Sequence, residues 1–266
     1  SLSEHKYLNR GQIKVGVMRL PRISNFTDLD PLEYEPDIGI RLVEMGDELG
    51  QLDALIIPGT RNTISDMVAL NEAGFSDEIR QIATEIPLVG ICGGYQILGE
   101  KIMDPSLKES KQGTVDGLGL LNVKTSFGNV KKIISQSQGQ IMGNGIFKGL
   151  EGELIRGYEL HEGVTNIKGS KPLTRVIKGC GNHPQSQFDG AVQGMTTGTY
   201  FHGIFHNFSF RRFFIDYLRE KNGLEKIGFE VDHFEVRKGF SLERLAQIFE
   251  ENVDMKIMDK ILSIDS

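Results

Sequence analysis

The chain has 266 residues, 39% of them apolar and 25% charged, with 36 acidic against 30 basic side chains and a formal charge of -6. That length buries a substantial α/β core, and the acidic balance, with no basic run beyond the pairs Lys131-Lys132 and Arg211-Arg212, argues against a nucleic-acid or anionic-membrane role. No apolar segment approaches a membrane span, no signal-peptide blocks open the chain, and two cysteines, Cys92 and Cys180, are too few for a disulfide framework or a cysteine zinc site, so the chain reads as a cytoplasmic protein with no metal centre.

Residues 1–10 are expected to be a cloning leftover or a linker, and residues 11–266 one domain. Residues 12–20 (QIKVGVMRL) predict a first strand, followed by a polar loop through Ser24-Asn25-Phe26-Thr27-Asp28 to Pro31 and Pro36. A second strand (IGIRLVEM) starts at Ile38. Residues 52–57 (LDALII) form a third strand ending in Pro58-Gly59-Thr60, and Asn62-Thr63 opens a helix carrying Ile64, Met67, Val68 and Leu70. An amphipathic helix over 76–84 leads to a short apolar strand with Leu88, Val89 and Ile91, and Tyr95, Ile97 and Leu98 suit the helix after it. This alternation predicts a doubly wound parallel sheet.

Past Lys101 glycines become dense, and short β-like segments at 118–123, 154–160, 174–177 and 191–195 predict antiparallel additions to the same domain. Residues 199–205 (TYFHGIF) read as a buried strand. Phe210, Phe213, Phe214, Tyr217 and Leu218 form a helical stripe behind Ser209 as its cap. Ser241 is expected to cap a final helix with Leu242, Leu245, Phe249, Val253 and Ile257 on one face.

The chemistry concentrates at Cys92, the joint between strand and helix. Gly90-x-Cys92-x-Gly94 has the spacing of a nucleophile elbow, a tight turn that presents a reactive side chain above the carboxyl edge of a sheet. Gly93 and Gly94 relieve crowding, and their amides lie at a helix N-terminus, which favours a thiolate. The competing reading is a buried structural cysteine. His202, followed by Gly203 at the end of its strand, can hold a thiolate and protonate a leaving amine, its unperturbed pKa being about 6.5; the alternative is a core histidine. A helical metal pair of His202 with His206 is opposed by Gly203 and the β-like flanks. The Gly59 and Thr60 amides, with that of Gly93, suit an oxyanion hole. Cys180 reads as incidental, His5, His183 and His233 as solvated, and Asp189-Gly190 as a turn.

Six motifs in order, RISNFTD (22–28), PGTRNTISD (58–66), GICGGYQILG (90–99), GLGLL (117–121), YELHEG (158–163) and GTYFHGIFHN (198–207), resemble the class I glutamine amidotransferases over nearly the whole chain. Within that family they are most similar to the C-terminal glutaminase domains of the cobyric acid synthase branch. The PGTRNT segment discriminates best, because the related cobyrinate a,c-diamide synthases typically carry a glycine-rich loop there. The resemblance implies a flavodoxin-like, mostly parallel sheet, with Cys92 as nucleophile and His202 as its acid-base partner. It also implies glutamine as ammonia donor and a corrinoid acceptor reached through a separate N-terminal synthetase domain that uses ATP and Mg. Consistent with that division, no G-x-x-x-x-G-K-[ST] phosphate loop occurs here, and the polar stretch 3–10 suits a joining linker.

Ordinary family members carry Glu two residues after the histidine, and here that position is Ile204. Glu159 and His161, which share one strand parity, are the candidates to orient His202 or bind substrate, a structural role being the equal alternative for Glu159. The competing functions are the glutaminase of a cobyrinate a,c-diamide synthase or of a lipid II isoglutaminyl synthase, a non-catalytic interaction module of the same fold, and a cysteine peptidase.

Overall fold

The computed structural model describes residues 11–128, 131–228, 230–253 and 257–258, so the expectations for residues 1–10, His5 among them, lie outside the described residues. The chain divides between residues 229 and 230 into two compact units.

The first unit opens with β1 (Ile13–Met18), a loop holding the short α1 (Asp30–Glu33), β2 (Ile38–Val43), β3 (Ala54–Ile57), α2 (Thr63–Glu72), α3 (Phe75–Ile82), β4 (Leu88–Ile91) and α4 (Gly93–Leu98). Every residue of β3 and β4 is buried, as strands covered on both faces must be. Asn62 caps α2 as its sequence position suggested, its side chain accepting the Ser65 amide at 2.8 Å. Then come β5 (Lys101–Met103), β6 (Thr114–Asp116), β7 (Val123–Ser126), β8 (Ile133–Ile141), β9 (Leu154–His161), β10 (Val164–Ile167), β11 (Thr174–Lys178) and β12 (Phe188–Asp189). The unit closes with β13 (Ala191–Gln193), β14 (Thr196–Thr199) and α5 (Phe208–Lys221).

The main sheet runs β13-β14-β4-β3-β1-β2 and is parallel except for the edge strand β13. The expected additions form two further four-stranded sheets, β10-β7-β5-β6 and β12-β11-β8-β9. Strands β4, β3 and β1 all run the same way, so the elbow at Cys92, the Gly59-Thr60 turn and the loop after β1 gather at one carboxyl edge.

Five local readings are corrected. The longest strand, β8, has no counterpart in the sequence reading, because two of its inward positions are Ser137 and Gly139 and its apolar alternation is too weak to see. Residues 118–121 are irregular and the strand begins only at Val123, while the strand read over 199–205 already ends at Thr199 and gives way to a 3-10 turn at Ile204–His206. Asn207, not Ser209, precedes α5, and Ser209 donates to Glu153 at 2.5 Å. Ser241 lies inside a helix, donating back to the Arg237 carbonyl.

That helix, α6 (His233–Asn252), is the second unit's main element. Asp232 caps it, accepting the Phe234 and Glu235 amides at 3.1 and 3.2 Å. Leu242, Leu245 and Phe249 lie on it, exposed, and Val253 and Ile257 fall past its end.

Candidate active site

The site begins with a strained residue. Cys92 adopts φ 54° and ψ -108°, a region that side chains other than glycine rarely occupy. The turn is this tight because its neighbours have no side chains. A β-carbon at Gly94 would collide with the Ile57 carbonyl oxygen, one at Gly90 would lie 2.7 Å from the Gly94 backbone, and one at Gly93 would lie 2.5 Å from the Thr60 methyl. The sulfur faces the Leu160 carbonyl at 3.6 Å.

Strand register brings the histidine to the cysteine. Ile91 pairs with Thr199, and the Cys92 amide donates to the Thr199 carbonyl at 2.8 Å, which leaves His202 three residues on, beside the elbow. Tyr158 and His202 exchange both backbone hydrogen bonds, at 2.8 and 3.2 Å, and their rings stack at 5.0 Å. Gly59 lies between Cys92 and His202: a β-carbon on it would lie 3.2 Å from His202 Cε1 and 3.7 Å from Cys92 Cβ. A β-carbon on Gly93 would lie 3.0 Å from the Thr60 amide nitrogen, and among the described residues neither the Thr60 nor the Gly93 amide donates to a backbone carbonyl.

The residue that orients His202 is one the sequence reading gave no role. His202 Nδ1–H donates to Asp28 Oδ2 at 2.7 Å, and the Gly203 amide donates to Oδ1 of the same carboxylate at 2.8 Å. Asn25 Nδ2 lies 3.1 Å from each ring nitrogen, held there by a left-handed backbone at φ 55°. Burial opposes a charge on the His202 ring, but hydrogen bonds to Asp28 and Cys92 outweigh it and raise the pKa to about 10. At neutral pH the imidazole is therefore charged. Asp28 belongs to the loop after β1 on the site's own sheet edge, and that topological position is the signal that would have singled it out.

Glu159 is placed elsewhere. It is fully buried and accepts from the Ser137 hydroxyl at 2.7 Å, the Cys180 amide at 2.8 Å and the Gly181 amide, so it ties β8 and β9 to the 179–181 turn and does not orient His202. His161 does reach the site, stacked on Tyr200 with ring centres 3.7 Å apart. His206 Nε2 bonds the Thr27 carbonyl at 2.9 Å, away from His202. Asp189, read as part of a turn, is buried and accepts from the Thr199 hydroxyl and the Tyr200 amide, bracing the strand end from which His202 projects.

Cys92, His202, Thr60, Gly93, Asn25 and His161 line one cavity of about 610 Å³, whose outer wall carries Arg61, Lys108, Glu109 and Lys132. It is roomy enough for a free amino acid. On its other side His202 borders a second cavity of about 500 Å³, with Tyr158, Arg156 and Lys178 in its wall.

Comparison with known proteins agrees with this geometry. A probable cobyric acid synthase of Methanothermobacter thermautotrophicus is 59% identical over 262 residues, 98% of this chain and 52% of that protein. One from Methanosphaera stadtmanae is 49% identical over the same shares. The chain thus spans about half the length of these curated relatives. Among solved structures, PurLQS from Thermotoga maritima superposes with a TM-score of 0.56 at 22% identity, covering 72% of this chain and 87% of that one. A structure described as a glutamine amidotransferase gives 0.52 at 20% identity over 79% and 99%; at such identities these two speak for the fold. The profile of the CobB/CobQ-like glutamine amidotransferase domain matches residues 14–210, the stretch that carries every residue of the site, and the chain belongs to that family.

Proposed function

We propose that this chain is the glutaminase half of a cobyric acid synthase. It would release ammonia from glutamine at Cys92 for the amidation of a corrinoid carboxylate that an ATP- and Mg-using synthetase half activates. The observation that carries the reading is the buried line Asp28–His202–Cys92 beneath an amino-acid-sized cavity. The relatives' printed name supports the acceptor, and their doubled length supports a second half.

In this reading the Cys92 thiolate attacks the side-chain carboxamide carbon of glutamine, and the oxygen gains charge beside the Thr60 and Gly93 amides. Gly59 keeps the space between sulfur and imidazole open. His202, charged and held by Asp28, gives its proton to the departing ammonia, then takes one from the water that resolves the γ-glutamyl thioester to glutamate. An electrophilic glutamine analogue should therefore add once per chain, at Cys92, and glutamine should slow the addition. A folded chain with a reactive Cys92 thiol that neither the analogue nor glutamine touches would defeat the proposal.

A further inference from the structure

One buried polar group in the cavity has no use in the chemistry above. The His161 ring is 4% exposed, lines the cavity with Cys92, and neither of its ring nitrogens has a hydrogen-bond partner among the described residues. The backbone at Glu162 and Gly163 comes near but outside hydrogen-bond geometry. Leaving both nitrogens dry is costly, and such a group in a native fold calls for a partner. Stacking on Tyr200 fixes the ring's plane without satisfying either nitrogen.

The geometry points to His161 as the residue that reads the carboxamide of the bound amino acid, a bare ring nitrogen accepting from the amide N–H that glutamine has and glutamate lacks. The inference rests on the glutaminase reading and says how that site tells substrate from product. Position selects the reacting end of the ligand. Residue 161 follows Leu160, whose carbonyl faces the Cys92 sulfur, and its ring lies on Tyr200, two residues before His202. The exposed cations that would suit the α-carboxylate, Arg61, Lys108 and Lys132, belong to the outer wall, where Glu109 would suit the α-amino group.

The protonation state fits. Burial, and secondarily the nearby His202 charge, lower the His161 pKa to about 4, so at neutral pH the ring offers one N–H and one lone pair. A carboxamide can satisfy that lone pair. A carboxylate sets its own lone pairs against it, and a buried site built for an N–H donor discriminates strongly against a ligand without one.

The test follows modification of Cys92 by methyl methanethiosulfonate in a Cys180→Ser background, with L-glutamine or L-glutamate as protectant. His161→Phe keeps a flat ring on Tyr200 and removes both nitrogens, whereas His161→Gln keeps a donor and an acceptor. The expected result is that His161→Phe needs at least tenfold more glutamine for half-protection, with glutamate protection and the unprotected rate unchanged, and that His161→Gln stays within threefold of the parent. Equal glutamine protection in the Phe variant overturns the inference. If that variant does not fold, His161→Met against His161→Gln makes the same comparison. Should glutamine fail to protect the parent while its thiol reacts normally, the glutaminase reading itself falls.

Discussion

Asp28 and His202 stand 174 residues apart in sequence and are joined by a 2.7 Å hydrogen bond between side chains that are 2% and 1% exposed. The bond is braced, because the same carboxylate also holds the Gly203 amide. In the proposed triad an acid from the first loop of the sheet thus stands where Ile204 lacks one. Asp28→Asn keeps the shape and removes the charge. By analogy with the same change in serine proteases, glutamine hydrolysis should fall by about 10²–10⁴-fold, and stability by about 1–3 kcal/mol. Steady-state ammonia release and urea unfolding measure the two, and a near-parental rate would show that Asp28 does not orient the imidazole for catalysis.

The two site histidines have opposite pH signatures, and His161 gives the cleaner one. Its pKa is near 4 when folded and about 6.5 when unfolded. The unfolded chain therefore takes up the proton first, and this contribution to stability, whole above about 6.5, is lost as pH falls toward 4. His161→Phe should remove up to about 3 kcal/mol of the parent's stability loss between those two values. Unfolding in urea at the two pH values decides it; parallel losses in parent and variant would mean that the ring is not held neutral by burial.

The elbow stores strain that glycine can release. Cys92→Gly should abolish ammonia release yet raise stability by about 1 kcal/mol, since relief of an unfavourable φ exceeds the added chain entropy. Gly94→Ala should do the reverse to the fold, costing about 3 kcal/mol or more, because the new methyl meets the Ile57 carbonyl with backbone on both sides. Thermal unfolding of the two variants should move in opposite directions.

Outside the cavity, Arg211 and Arg212 of α5 enter a buried cluster of acids. Arg211 meets Glu35 at 2.6 Å, and Arg212 meets Glu35, Asp37 and Asp216 at 3.0, 2.7 and 3.0 Å. Removing one cation strands buried carboxylates, so Arg212→Met should cost about 3–5 kcal/mol. Ammonia release by the folded fraction should stay near parental, because no member of the cluster lines the cavity; denaturation midpoints and specific activity at low temperature separate the two effects.

Local sequence was sufficient wherever chemistry is local. The elbow is legible because glycines at 90, 93 and 94 are what a strand-to-helix turn demands, and the alternation of buried strands with capped helices up to Leu98 follows from period and caps. The approach of His202 to the elbow followed from reading a strand that leads into it, although that strand ends at Thr199. The same local rules misplaced both caps, Ser209 and Ser241, and passed over β8, whose inward Ser137 and Gly139 give no apolar rhythm.

Tertiary structure alone chose between the acids. Glu159 has the parity and the motif to orient His202, yet its carboxylate is consumed by Ser137, Cys180 and Gly181. Asp28 wins because the parallel order of β1, β3 and β4 brings the first loop over the same sheet edge as the elbow. A hydrogen bond is decided by separation and angle in space, and a contact spanning 174 residues leaves no period, spacing or cap in the chain from which either could be read.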